Sequence, residues 1–141
     1  MSELTLAFVQ AALNAPVSAQ ADVATRIITD SRQAEAGDVF VALVGEQFDG
    51  HDYVADVLAK GVAAVIVSRE IVAGDARQIV VADTLAALGQ IAQAWRLKWN
   101  PKIVALTGSN GKTTVKEMCA AILRTAVGDD AVLATAGNFN N

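Results

Sequence analysis

Seven consecutive residues, Gly108-Ser109-Asn110-Gly111-Lys112-Thr113-Thr114, have the types and spacing to hold the phosphates of a nucleotide. Glycines let the backbone turn tightly and aim its N–H groups at an anion. A helix that starts at about Thr113 adds the partial positive charge of its N-terminus. Lys112 supplies an ammonium for the β- and γ-phosphate oxygens, and the Thr113 hydroxyl is placed to bind Mg²⁺. ATP and Mg²⁺ are therefore the expected cofactors. The common pattern, G-x-x-x-x-G-K-[ST], carries an earlier glycine where this chain has Leu106. The shorter G-x-x-G-K-T-T keeps its meaning because its context is right. A β-branched run, Ile103 to Thr107, leads in. A periodic apolar face then follows at Val115, Met118, Cys119, Ile122, Leu123 and Ala126. The plain alternative is a glycine-rich turn with an exposed lysine, and that context weighs against it.

The elements around the loop read as follows. Leu4 to Leu13 has helical spacing and ends at Asn14 and Pro16. Arg26 to Thr29 and Val39 to Val44 read as strands. Tyr53 to Lys60 is helical and stops at Gly61, Val62 to Val67 is a buried strand, and Ile79 to Val81 a shorter one. Asp83-Thr84 can cap a helix whose stripe runs Leu85, Leu88, Ile91, Ala92, Trp95 and Trp99, and Asn100-Pro101 ends it. Trp95 and Trp99 are expected to pack between domains. Strands are expected at Lys102 to Thr107 and Ala131 to Ala134. The fold class is α/β: residues 1–83 form a small mixed α/β N-terminal domain. Residues 84–141 are the strand, phosphate loop, helix and strand that start a parallel-sheet ATP-binding domain.

That second unit looks unfinished, because two parallel strands cannot cover both faces of a sheet. Phosphoryl transfer also asks for an acidic Mg²⁺ partner, usually at the end of another strand. Glu117 lies one turn down the loop helix and points away, and Asp129 and Asp130 precede a strand. None fits, so the catalytic unit is expected to continue past Asn141.

Composition narrows the rest. The 141 residues are 53% hydrophobic and 18% charged, which supports a packed core over disorder. A net charge of -4 and a pI near 4.8 argue against a nucleic-acid binder. Cys119 is the single cysteine, so no internal disulfide is possible and a reducing compartment is the natural setting. The start, Met1-Ser2-Glu3-Leu4, lacks the pattern of a signal peptide, and the longest apolar run is Val62 to Val67. A cytoplasmic monomer with no membrane insertion is expected. His51 reads as a turn or helix-start residue, and Cys119 as a core residue.

Together these residues resemble the Mur ligase family, enzymes that extend the peptide of the bacterial cell-wall precursor. Thr107 to Thr114 is similar to the family's phosphate loop, which also lacks the first glycine. Asp30-Ser31-Arg32, the segment from Gly37 to Ala42, and the segment from Gly45 to His51 resemble the N-terminal domain of the two later ligases. Val115-Lys116-Glu117-Met118 and Gly137-Asn138-Phe139-Asn140-Asn141 look more like the members that add the terminal dipeptide.

The resemblance implies three domains, of which the first and the start of the second are present. It implies ATP-dependent ligation of D-alanyl-D-alanine to UDP-N-acetylmuramoyl-tripeptide through an acyl phosphate. Lys112 would be the catalytic charge on the transferring phosphoryl group. Ser31 would touch the uridine nucleotide, and Glu46, Gln47 and Phe48 would line its pocket. Asn138, Asn140 and Asn141 would contact substrate. This chain alone would be inactive. One alternative is a ligase adding the third residue, a diamino acid, to UDP-N-acetylmuramoyl-dipeptide. The other is a nucleotide- or UDP-sugar-binding module without turnover. A phosphate-loop GTPase or kinase leaves the N-terminal domain unexplained.

Overall fold

Apolar residues run without a break through Val39–Val41 and Ala64–Val67, the pattern of strands buried on both faces. In the computed structural model, which describes residues 3–18, 22–23 and 25–136, these strands are β2 and β3. With β1 (Ile27–Ile28) and β4 (Gln78–Val80) they form a parallel sheet in the order β1-β2-β3-β4 among the described residues. The register pairs Val39 with Ala64 and Ile66 with Ile79. Alternate side chains then serve two cores. Ile28, Phe40, Val65 and Val67 meet Val54, Val57 and Leu58 of helix α2 (Val54–Ala59) on one face. Val39, Val41, Ala64 and Ile66 meet α1 (Leu6–Ala12) and α3 (Thr84–Trp99) on the other.

The chain divides into two compact units, residues 1–101 and 102–141. The break lies beyond the boundary expected at 83/84, because α3 belongs to the first unit. Asp83 caps α3 through Ala86 N–H at 2.9 Å. The buried Thr84 hydroxyl donates instead to the carbonyl of Ala42, at the end of β2. Ala87 and Ile91 are each 2% exposed in the same core. Phe8 packs edge-on to Trp95 at 5.2 Å, and Trp95 to Trp99 at 5.6 Å. The Lys98 ammonium lies 5.0–5.4 Å from all three rings. The tryptophans therefore take part in packing α3 on α1 inside the first unit.

The second unit holds α4 (Lys112–Val127) and a short 3₁₀ turn, Asp129–Ala131. The strands expected at 102–107 and 131–134 are not formed. Neither segment has a ladder partner among the described residues, and a strand exists only through its ladder. Ile103, Val104 and Leu133 are exposed as a result. No helix among the described residues is long and apolar enough to cross a membrane.

Candidate functional site

The phosphate loop ends in a left-handed residue, Gly111, at φ 78°. A Cβ there would meet nothing within 4 Å, so the need for glycine is conformational and not steric. Gly111 occupies the N-cap of α4, and no side chain caps that end. The Gly111 carbonyl accepts the Val115 N–H at 3.0 Å, which starts the helix. The Lys112 ammonium folds back across the loop and donates to the Gly108 carbonyl. Amides of an uncapped helix start and one ammonium thus converge on one mouth, the arrangement that suits a polyphosphate. Thr113 offers a hard hydroxyl oxygen one residue on. Mg²⁺ takes such a donor together with phosphate oxygens and water, so the residue fits that ion. Among the described residues no group of three His, Cys, Asp or Glu side chains could hold a metal by itself. Lys116 donates to the Thr135 carbonyl at 2.6 Å and lies 3.3 Å from Glu117.

A cleft of about 430 Å³ lies in the first unit, lined by Thr29, Asp30, Ser31, Arg32, Phe40, Phe48, Gly50 and Tyr53. Ser31 and Phe48 are among these lining residues. Glu46 and Gln47 are not. They sit exposed at the tip of a turn closed by the Val44–Asp49 bridge and by Gly45 N–H to Phe48 carbonyl at 2.9 Å. That turn aims Phe48 at the cleft and carries its two neighbours outward. Asn138, Asn140 and Asn141 lie outside the described residues. Thr29, Arg32, Phe40 and Tyr53 were not picked out as cleft residues from sequence. Arg32 had a signal in the motif Asp30-Ser31-Arg32, whereas the others reach the cleft only through the fold.

The cleft walls are well fastened. Asp30 accepts the Arg32 N–H at 3.0 Å and the Arg32 guanidinium at 2.9 and 2.7 Å. Lys60 donates to the Ser31 carbonyl at 2.9 Å. A Cβ on Gly50 would come within 2.9 Å of the Leu43 backbone, so only glycine fits where the loop crosses the end of β2.

Two carboxyls near the cleft are held at about 2, below their ordinary 3.8. For Asp30 the chief cause is the Arg32 side chain, and for Asp49 the hydrogen bond from the His51 N–H. A depressed carboxylate contributes stability above its unfolded value and loses it as pH falls through the folded one. The melting temperature is therefore expected to drop as pH goes from about 4 to about 2. A flat thermal-melt series across that window would show that these pairs contribute nothing.

Residues 24–96 match the Mur ligase family, catalytic domain, and residues 106–141 match the Mur ligase middle domain. The chain belongs to the Mur ligase family. The two Mur ligase matches fall on either side of the break between the compact units. A relative from Haemophilus influenzae, UDP-N-acetylmuramoyl-tripeptide–D-alanyl-D-alanine ligase, is 49% identical over 117 residues, 82% of this chain and 26% of that protein. A crystal structure of MurF from Acinetobacter baumannii is similar with a TM-score of 0.74 at 44% identity, covering 89% of this chain and 28% of that one. MurF ligase from Thermotoga maritima, solved in complex with ADP, gives a TM-score of 0.67 at 34% identity, covering 72% and 23%. This chain therefore spans less than a third of the length of each Mur ligase it is compared with here.

Proposed function

We propose that this chain is the N-terminal part of a cytoplasmic ATP- and Mg²⁺-dependent ligase that joins D-alanyl-D-alanine to UDP-N-acetylmuramoyl-tripeptide. One observation carries the nucleotide half of this reading: Lys112 folded over a loop that Gly111 turns into the uncapped start of α4. The names of the relatives support the choice of substrates. The ADP complex of a relative supports the nucleotide.

In this reading the loop amides of Gly108 to Thr114 bind the phosphates, and Thr113 gives one ligand to Mg²⁺. The metal, when bound, neutralises phosphate charge. Lys112 stabilises charge on the γ-phosphoryl group as it passes to the substrate carboxylate. A bond forms between a carboxylate oxygen and phosphorus while the bond to ADP breaks. The dipeptide amine then attacks the acyl carbon, inorganic phosphate leaves, and the amine loses a proton. The cleft of the first unit holds the UDP end, with Ser31 and Phe48 in contact. Asn138, Asn140 and Asn141 are further substrate contacts. The enzyme acts as a monomer, and the chain alone is inactive.

The test is phosphate release by the longest reading frame carrying this sequence, given ATP, Mg²⁺ and UDP-N-acetylmuramoyl-tripeptide, with and without D-alanyl-D-alanine. Release is expected only with the dipeptide. Release that instead needs the UDP-dipeptide precursor and a diamino acid would move the assignment to the ligase for the third residue. Silence with both would leave a binding module.

A further inference from the structure

His51 is fully buried, yet it takes no part in the loop and does not line the cleft. It stands between Gly50 and Tyr53, which do. Its Nδ1 lies 2.6 Å from Asp49 Oδ1. Its Nε2 lies 2.9 Å from the Ser68 backbone N and 3.0 Å from Ser68 Oγ. A backbone N–H can only donate, so Nε2 accepts, and the single ring proton sits on Nδ1 and goes to Asp49. The order Ser, His, Asp superficially matches a hydrolase triad. A triad base, however, must keep its Nε2 lone pair for the serine proton, and here the Ser68 amide holds it.

The ring is instead a cross-brace. Asp49 closes the 44–49 turn, accepts the His51 N–H at 2.9 Å and takes Arg69 at 3.3 Å on its second oxygen. Through His51 the turn is tied to Ser68, the residue after β3. Phe48 precedes Asp49 directly and Gly50 follows it, so the brace holds the stretch of chain that carries these two cleft residues.

We propose that His51 is a positioning residue for the UDP-sugar substrate, holding Phe48, Gly50 and Tyr53 in place through Asp49 and Ser68. The inference rests on the reading of the cleft as the site of the UDP end. A hydrogen-bonded network around a buried ring sets that ring's geometry rigidly, and small misplacements are costly to recognition.

The test uses the longest reading frame carrying the chain, with UDP-N-acetylmuramoyl-tripeptide and Mg-ATP as probes. Asp49→Ala removes the acceptor from a partly exposed position, and its melting curve confirms that the fold survives. The KM for the UDP substrate is expected to rise about tenfold, with kcat and the KM for ATP within about twofold of wild type. His51→Gln offers an amide oxygen to the Ser68 N–H and is expected to recover part of what His51→Ala loses. An unchanged KM for the UDP substrate in folded Asp49→Ala protein would overturn the proposal. So would a parallel rise in both KM values with a lower melting temperature, because that marks general packing. A wild-type protein that fails to bind the UDP substrate would remove the reading of the cleft itself, and the inference with it.

Discussion

Replacing Lys112 with methionine in the longest reading frame is expected to lower the rate of ATP-dependent phosphate release by about a thousandfold. Methionine keeps the apolar stem and removes only the ammonium, which closes over the loop onto the Gly108 carbonyl. The loss should fall on the chemical step more than on binding. The charge of the γ-phosphoryl group is redistributed in the transition state, and a cation fixed beside it helps most at that point. Nucleotide affinity, which also draws on the loop amides, should weaken much less. Arginine is not expected to rescue, since its planar fork is larger than a point charge set against one carbonyl. Single-turnover phosphate release with saturating ATP measures the effect. Retention of more than about a tenth of the wild-type rate would be too small a loss for a preorganised charge and would remove Lys112 from catalysis.

Phe40→Ala is expected to destabilise the first unit by about 3–5 kcal/mol. Phe40 is 1% exposed on a central strand, packed in the core shared with α2, and it also reaches the floor of the cleft. Truncation leaves a cavity between two layers that are fixed by the rest of the sheet and cannot collapse into it. Against a total stability of about 5–15 kcal/mol, such a loss removes about a fifth of the stability or more. Phe40→Leu should cost less than about 1.5 kcal/mol, because most of the volume remains. The shift in urea midpoint followed by circular dichroism separates the two. A wild-type midpoint for Phe40→Ala would contradict the placement of that side chain in the core.

Which features were legible from sequence follows from how local their causes are. The loop, the Asp83 cap, the Gly61 stop and the helices of residues 84–99 and 112–127 are set by neighbours within a turn or two, and all were readable. The buried strands were legible as apolar runs, although their ends were overestimated. Val39 to Val44 reads as one strand, yet β2 stops at Val41 because Leu43 and Gly50 must form the base of a turn. The break between the two compact units was not legible. Asp83-Thr84 looks like the start of something new, and long-range contacts such as the bond from Thr84 to Ala42, forty-two residues back, show that α3 closes the first core. Glu46 and Gln47 share a motif with Phe48, but the turn sends neighbouring side chains in different directions. The strands at 102–107 and 131–134 have the right composition, and composition cannot supply a ladder partner.

The packing of Phe8, Trp95 and Trp99 around Lys98 makes the chain's intrinsic fluorescence a private signal of the first unit. Both tryptophans of the sequence lie there, and residues 102–141 contain none. Emission followed through a urea titration would report the parting of α1 from α3. Far-ultraviolet dichroism would register the melting of α4 as well. Coincident curves would mean that the two units lose structure as one cooperative body, and a gap between them would measure how separately each is held.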